Sequence, residues 1–223
     1  VNKELRPGLI IFDCDGVLVD SEVLAVEVES RVLTEMGWAL SPADVVERFV
    51  GGSDAHMLGE IEKRVGAELT AEFDRVTTME ITEAFHTRLQ AIPGVEKLVR
   101  DLQSAGVPTC VASSGTYKKM DITLGVTKLK ELFEGRIYSA SEVENGKPAP
   151  DLFLYAADAM GFEPHQCAVI EDSAKGVQGA VAAGMTCFGF AGGLTPATRL
   201  ADAGAIVFDT MDELSERLVS WDS

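Results

Sequence analysis

Four short motifs in this sequence carry residues suited to chemistry. The first is Asp13-Cys14-Asp15-Gly16, directly after the apolar run Leu9–Phe12. Two acids spaced by two at the end of a strand point to the same side of a sheet, and a glycine beyond them permits a sharp turn. The second is Ser113-Ser114-Gly115, after Val111-Ala112, where hydroxyls and backbone N–H groups can cradle an oxyanion. The third is Lys147, held in extended backbone by Pro148. The fourth is Glu171-Asp172-Ser173, again at the end of an apolar run. Each motif alone has a plainer reading, as a turn, a helix cap or a solvated charge.

Other assignments fail on spacing. An EF-hand loop needs a ligand at its fifth position and glycine at its sixth, whereas here Gly16 comes fourth and Val17 fifth. The lysine lacks the glycine spacing of a phosphate-binding Walker loop, and no G-x-S-x-G elbow surrounds the serines.

The elements that must position these residues can be read from the apolar pattern. Leu9–Phe12, Val107–Ala112, Cys167–Ile170, Met185–Phe190 and Ala205–Phe208 are short continuous apolar runs, the signature of parallel strands covered on both faces. Arg136–Ala140 is a further candidate. Helical patterns at Pro93–Ala105, Pro150–Met160 and Ala174–Ala183 alternate with them and stop at Gly106, Gly161 and Gly184. This rhythm predicts an α/β fold, a doubly wound, Rossmann-like parallel sheet. From Val17 to Ala91 no strand pattern occurs. Helices are expected over Ser21–Met36, from Ser41-Pro42 onward with Asp44 completing a cap, over Ser53–Val65 and over Thr70–Gln90. The expected organisation is therefore a catalytic core of residues 1–16 and 92–223, with 17–91 inserted as an all-α helical cap. Within that cap, Gly51, Gly52 and Ser53 are candidates for meeting a substrate, or for a plain turn between helices.

Composition narrows the partners. The 223 residues carry 19 Lys+Arg against 36 Asp+Glu, a formal net charge of −17, spread over both parts. Binding to a nucleic-acid backbone or an anionic membrane asks for basic surfaces that are missing here. At 46% apolar and 25% charged the chain has the make-up of a globular protein. Its apolar runs are too short to span a bilayer, and no charged-then-apolar signal is visible, so the cytoplasm is the expected location. Cys14, Cys110, Cys167 and Cys187 show no zinc spacing, and the three histidines are scattered as surface residues would be.

The ordered set of motifs resembles the haloacid dehalogenase superfamily, and within it the phosphoglycolate phosphatase/β-phosphoglucomutase-like group with a helical cap after the first strand. The resemblance covers nearly the whole chain. It implies that Asp13 is a nucleophile and Asp15 a general acid/base. It implies further that Ser113, with Ser114 in the same loop, and Lys147 bind the transferring phosphoryl group. Asp172 with Glu171 would complete a Mg²⁺ site beside Asp13 and the Asp15 carbonyl. An Asp at the second position separates phosphate-ester chemistry from the C–Cl and C–P cleaving members, which the resemblance implies lack it. The β-phosphoglucomutases carry a His five residues after the position of Asp20 and an Arg after the Gly-x-Ser of the cap, where this chain has Ala25 and Asp54. Phe12–Glu22 also resembles bacterial sugar-phosphate phosphatases that act on 6-phosphogluconate, although one segment does not fix a substrate.

The expected activity is thus hydrolysis of a small phosphate ester through an aspartyl-phosphate, with mutase-type transfer as the alternative and a monomer or dimer both open. A second class, a phospho-acceptor such as a receiver domain, also uses strand-end Asp, hydroxyl and Lys, but has no helical insert and needs no Asp15. The electrostatic demand is plain: two like unit charges ~4 Å apart repel by roughly 4 kcal/mol at an effective dielectric of about 20, so a carboxylate can approach a phosphate dianion only beside cations.

Overall fold

The computed structural model describes residues 7–50 and 54–219. Strands β1 (Leu9–Phe12), β2 (Thr109–Ser113), β3 (Ile137–Ser139), β4 (Cys167–Glu171), β5 (Thr186–Phe190) and β6 (Ile206–Phe208) form one sheet in the order β3-β2-β1-β4-β5-β6. Every neighbouring pair is parallel. The four residues of β1 are at most 1% exposed, as a central strand covered by helices on both faces requires. Strand β2 starts two residues later than the apolar run suggests, because Pro108 has no N–H to give to the ladder.

Helices α5 (Val95–Ser104), α6 (Tyr117–Val126), α7 (Asp151–Met160), α8 (Ala174–Ala182), α9 (Ala197–Asp202) and α10 (Met211–Val219) connect and flank these strands. Leu9, Ile11, Val169, Phe153, Val177 and Ala180 are among the side chains of one continuous core between β1, β4, α7 and α8. Gly161 ends α7 in the left-handed region, at φ 78°, as the glycine stop signals lead one to expect.

Two aspects of topology place the motifs. Successive strands run outward from β1 in one direction through β2 and β3, and in the other through β4, β5 and β6, so the order reverses at β1. Such a switch point opens a crevice beyond the carboxyl ends of the strands. The register is also level there, with Phe12 opposite Val111 on one side and Ile170 on the other. Asp13, Ala112 and Glu171 therefore follow at the same height on the rim.

The chain divides into two compact units, one reaching Asp20 and resuming at Gln90, the other Ser21–Leu89. The sheet unit keeps Val17–Asp20 and Gln90–Ala91, which the sequence pattern placed in the insert, because Val19 bridges to both Asp15 and Ala91 through the backbone. The second unit is all-helical: α1 (Ser21–Glu35), α2 (Pro42–Phe49), α3 (Asp54–Val65) and α4 (Ala67–Arg88). Helix α2 opens as its sequence predicts. The Ser41 backbone N–H donates to Asp44 at 2.8 Å, and the Asp44 N–H donates to Ser41 Oγ at 3.2 Å. No helix among the described residues is long and apolar enough to cross a membrane. The tentative substrate residues Gly51, Gly52 and Ser53 lie outside the described residues.

Candidate active site

The turn after β1 brings the first acids into place. Gly16 takes φ +74°, and its N–H donates to the Val19 carbonyl at 2.9 Å, so the chain reverses immediately beyond Asp15. A side chain could not stand there: a Cβ at Gly16 would lie 2.0 Å from Asp172 Oδ2. The bare glycine thus lets the β1 turn close onto the carboxylate that follows β4.

Asp13, Glu171 and Asp172 are all buried, and one oxygen of each lies within 4.8 Å of the others. Lys147 enters this cluster from the loop before α7. Its Nζ donates to Asp13 Oδ1 at 2.8 Å, to Glu171 Oε1 at 2.7 Å and to the Ala112 carbonyl at 3.2 Å, which uses all three ammonium protons. Its side chain is only 5% exposed, with the Phe153 ring 4.9 Å away. Burial alone would draw the Lys147 ammonium toward its neutral form, but Asp13 and Glu171 outweigh that and hold it well above its ordinary value. The opposite happens at Asp13. Burial pushes its carboxyl up to about 7 against the pull of Lys147, and Glu171 and Asp15 add to the rise.

Glu171 is fastened from a second direction. Its Oε2 accepts from the Ser173 N–H and Oγ, both at 2.9 Å, while Ser173 Oγ also accepts from the Gly176 N–H at 3.0 Å and so caps α8. The helix cap that the sequence offers as the plainer reading of this motif is present, and the same hydroxyl also holds the Glu171 carboxylate. Close under α8, Gly176 leaves the space that the Glu171 carboxylate fills.

On the other side of β1, Ser113 is buried and its Oγ accepts from the Gly115 N–H at 3.0 Å. The Gly115 carbonyl accepts in turn from Ser139 Oγ at 2.7 Å, which ties the loop to β3. Ser114 stands exposed at the surface of that loop. Asp15 is drawn to a partner the sequence did not single out: Lys119 Nζ lies 2.8 Å from its Oδ2. A pair of lysines two residues beyond Ser-Ser-Gly-Thr was the available signal, but lysines in a helix are ordinary surface residues until the turn of that helix is known.

Cys14, Cys110, Cys167 and Cys187 are buried and free, as small core residues. Burial pushes the Cys14 thiol well above its usual value, so it offers no nucleophile beside Asp13. His56, His86 and His165 are exposed.

Three buried carboxyl groups packed around the Lys147 ammonium, two of them hydrogen-bonded to it, make a strongly negative pocket that favours a cation. Hard carboxylate oxygens converging at this spacing could hold a metal ion. Residues 10–190 match the family described as haloacid dehalogenase-like hydrolase. The chain belongs to that family. It is 32% identical over 186 residues to the 6-phosphogluconate phosphatase of Escherichia coli K12, covering 83% of each chain. It is 33% identical over 181 residues to hexitol phosphatase A of the same organism, covering 78% of each. Among solved structures, a haloacid dehalogenase-like protein of unknown function from Agrobacterium tumefaciens superposes with a TM-score of 0.84 at 36% identity, over 97% of this chain and 99% of that one. A family hydrolase from Deinococcus radiodurans, solved with bound phosphate and sodium, gives a TM-score of 0.85 at 32% identity over 98% of each chain.

Proposed function

We propose that this hydrolase removes the phosphoryl group from small phosphorylated metabolites, such as sugar phosphates or phosphoglycolate-like esters, through a phosphoryl-Asp13 intermediate. The observation that carries the reading is the buried Lys147 ammonium, held between Asp13 and Glu171 with Asp172 in the same carboxylate group. The phosphatase names of relatives that align over most of the chain support it.

Asp13 and Asp172 would hold Mg²⁺ together with the Asp15 carbonyl, with Glu171 in the same carboxylate group. Both Glu171 oxygens already accept hydrogen bonds, so its larger contribution is to fix Lys147 and to supply charge. When bound, the ion neutralises the carboxylates and the phosphoryl oxygens, as metals do in phosphoryl transfer.

The protein's own groups then act in two steps. A carboxylate oxygen of Asp13 forms a bond to phosphorus in line with the ester oxygen, whose bond to phosphorus breaks. The departing oxygen keeps that electron pair and takes a proton from Asp15. In the second step Asp15, now a carboxylate, takes a proton from water as the water attacks phosphorus, and Asp13 leaves with its electron pair. Ser113 donates to an equatorial oxygen, and Lys147 passes its Asp13 hydrogen bond to the phosphoryl group as Asp13 attacks, which offsets the repulsion between carboxylate and phosphate. Splitting the displacement in two is what covalent catalysis contributes.

Release of inorganic phosphate from p-nitrophenyl phosphate, dependent on Mg²⁺ and abolished by EDTA, tests the reading. A comparison of kcat/KM across sugar phosphates, phosphoglycolate and nucleotides then locates the substrate class. Stable phosphorylation of the protein without turnover would point instead to a phospho-acceptor.

A further inference from the structure

The reaction leaves one cation at the site unused. Lys147 is buried and committed to the carboxylates, whereas Lys119 lies beside Asp15 with its side chain 40% exposed and Asp15 at 16%. Lys119 stands in the first turn of α6, next to Lys118, and that turn holds no acidic residue. Two lysines at the positive end of a helix run against the usual preference for acids there, so helix stability does not account for their position. The loop also leaves them room. A Cβ at Gly115 would lie 3.3 Å from Ser113 Oγ, 3.5 Å from Asp15 Oδ2 and 3.5 Å from Lys119 Cδ, so the bare glycine borders all three groups.

We infer that Lys119 is a specificity-determining residue, which binds an anionic group carried by the leaving part of the substrate and so favours phosphate esters of hydroxy acids over their uncharged counterparts. This rests on the phosphatase reading given above, in which Asp15 serves the ester oxygen. A group next to Asp15 then faces the leaving alcohol, while Lys147 and Ser113 face the phosphoryl oxygens. The ammonium, 2.8 Å from Asp15 Oδ2, is placed to meet a carboxylate on the carbon skeleton beyond that oxygen. With a net charge of −17, the protein as a whole repels a substrate that bears a second anion. A fixed local cation reverses that preference, and an ammonium–carboxylate contact is among the stronger hydrogen bonds available.

The experiment compares matched esters: 3-phosphoglycerate with glycerol 3-phosphate, and 6-phosphogluconate with glucitol 6-phosphate. Each pair differs in a carboxylate against a hydroxymethyl group. For Lys119→Met, the acid-to-neutral ratio of kcat/KM is expected to fall by about tenfold or more in at least one pair, the worth of a lost charge-assisted contact. Lys119→Arg should restore most of the ratio. Removing the Lys119–Asp15 pair affects every ester alike and cancels in the ratio, so a merely structural role leaves it unmoved. Turnover with a ratio unchanged within about twofold overturns the role of Lys119 alone. Absence of metal-dependent turnover with every ester overturns the phosphatase reading as well.

Discussion

Gly176→Ala is the substitution whose outcome the site geometry fixes most sharply. At a helical position, alanine in place of glycine normally stabilises by up to about 1 kcal/mol. Gly176 lies in the first turn of α8, so helix propensity alone predicts a gain. The site predicts a loss. A Cβ at this position would be 1.7 Å from Glu171 Oε1 and 1.9 Å from Glu171 Cδ, where ordinary contact begins at 3.4 Å. Glu171 is 0% exposed and bonded through both of its carboxylate oxygens, so it cannot swing out to solvent without breaking those bonds. Its carboxylate must then part from some of its donors: Lys147 Nζ at 2.7 Å and the Ser173 N–H and Oγ at 2.9 Å. Charge-assisted hydrogen bonds contribute about 1.5–3 kcal/mol each. Losing two, less the helical gain of up to about 1 kcal/mol, gives a net destabilisation of about 2–5 kcal/mol, or a fall in Tm on the order of 10 °C for a chain of this size. The assay is thermal unfolding of both variant and wild type, with kcat measured alongside, since Lys147 loses its second carboxylate. Gly125→Ala is the internal control, because a Cβ at Gly125 in α6 meets nothing within 4 Å, and it should leave Tm unchanged or raised. A Gly176→Ala protein with wild-type Tm and wild-type kcat would refute the reasoning.

Two further outcomes follow from the carboxylate cluster. Gly16→Ala should lower Mg²⁺ affinity at least tenfold and also lower Tm, since φ +74° is strained for alanine and the new Cβ must push Asp172 Oδ2 away from 2.0 Å; unchanged Mg²⁺ affinity by calorimetry would contradict this. The pH dependence of metal binding has a definite sign. In the metal-free protein the Asp13 carboxyl is raised to about 7, so it is increasingly protonated as pH falls below that value, and a cation can bind only after displacing the proton. Mg²⁺ affinity should therefore weaken by up to about tenfold per pH unit below 7, with proton release seen as a buffer-dependent heat in titration calorimetry. Affinity that stays flat from about pH 8 to about pH 5.5 would remove Asp13 from the ligand set.

Most of the sheet was legible because fully buried parallel strands are short apolar runs, such as Leu-Ile-Ile-Phe in β1, bounded by turn residues and alternating with helical patterns. The strand-end acids, Ser113 and Lys147 were legible because topology brings strand ends to one rim, whatever the helices do. Helix α6 was not. It buries only Met120, Thr123 and Leu124, and its threonines, lysines and glycine blur the apolar stripe. Lys119 was hidden for the same reason, since its approach to Asp15 depends on the angle at which α6 leaves the Gly115 loop. Gly176 gave no signal either, because a glycine in a helix looks like a weakness until the buried carboxylate beneath it is seen. The insert boundary moved because Val19 pairs through backbone groups, which side-chain patterns do not report.

The central claim is that phosphoryl transfer passes through Asp13 and that Asp15 serves the proton transfers on either side of it. The most direct measurement is a rapid-quench reaction of Asp15→Asn with p-nitrophenyl phosphate and Mg²⁺, whose leaving group departs without a proton. The account predicts a burst of one p-nitrophenolate per chain, negligible steady turnover, and peptide mass spectrometry placing one phosphoryl group on Asp13. Wild-type turnover by the Asp15→Asn variant, or a phosphoryl group found on any other residue, would contradict it.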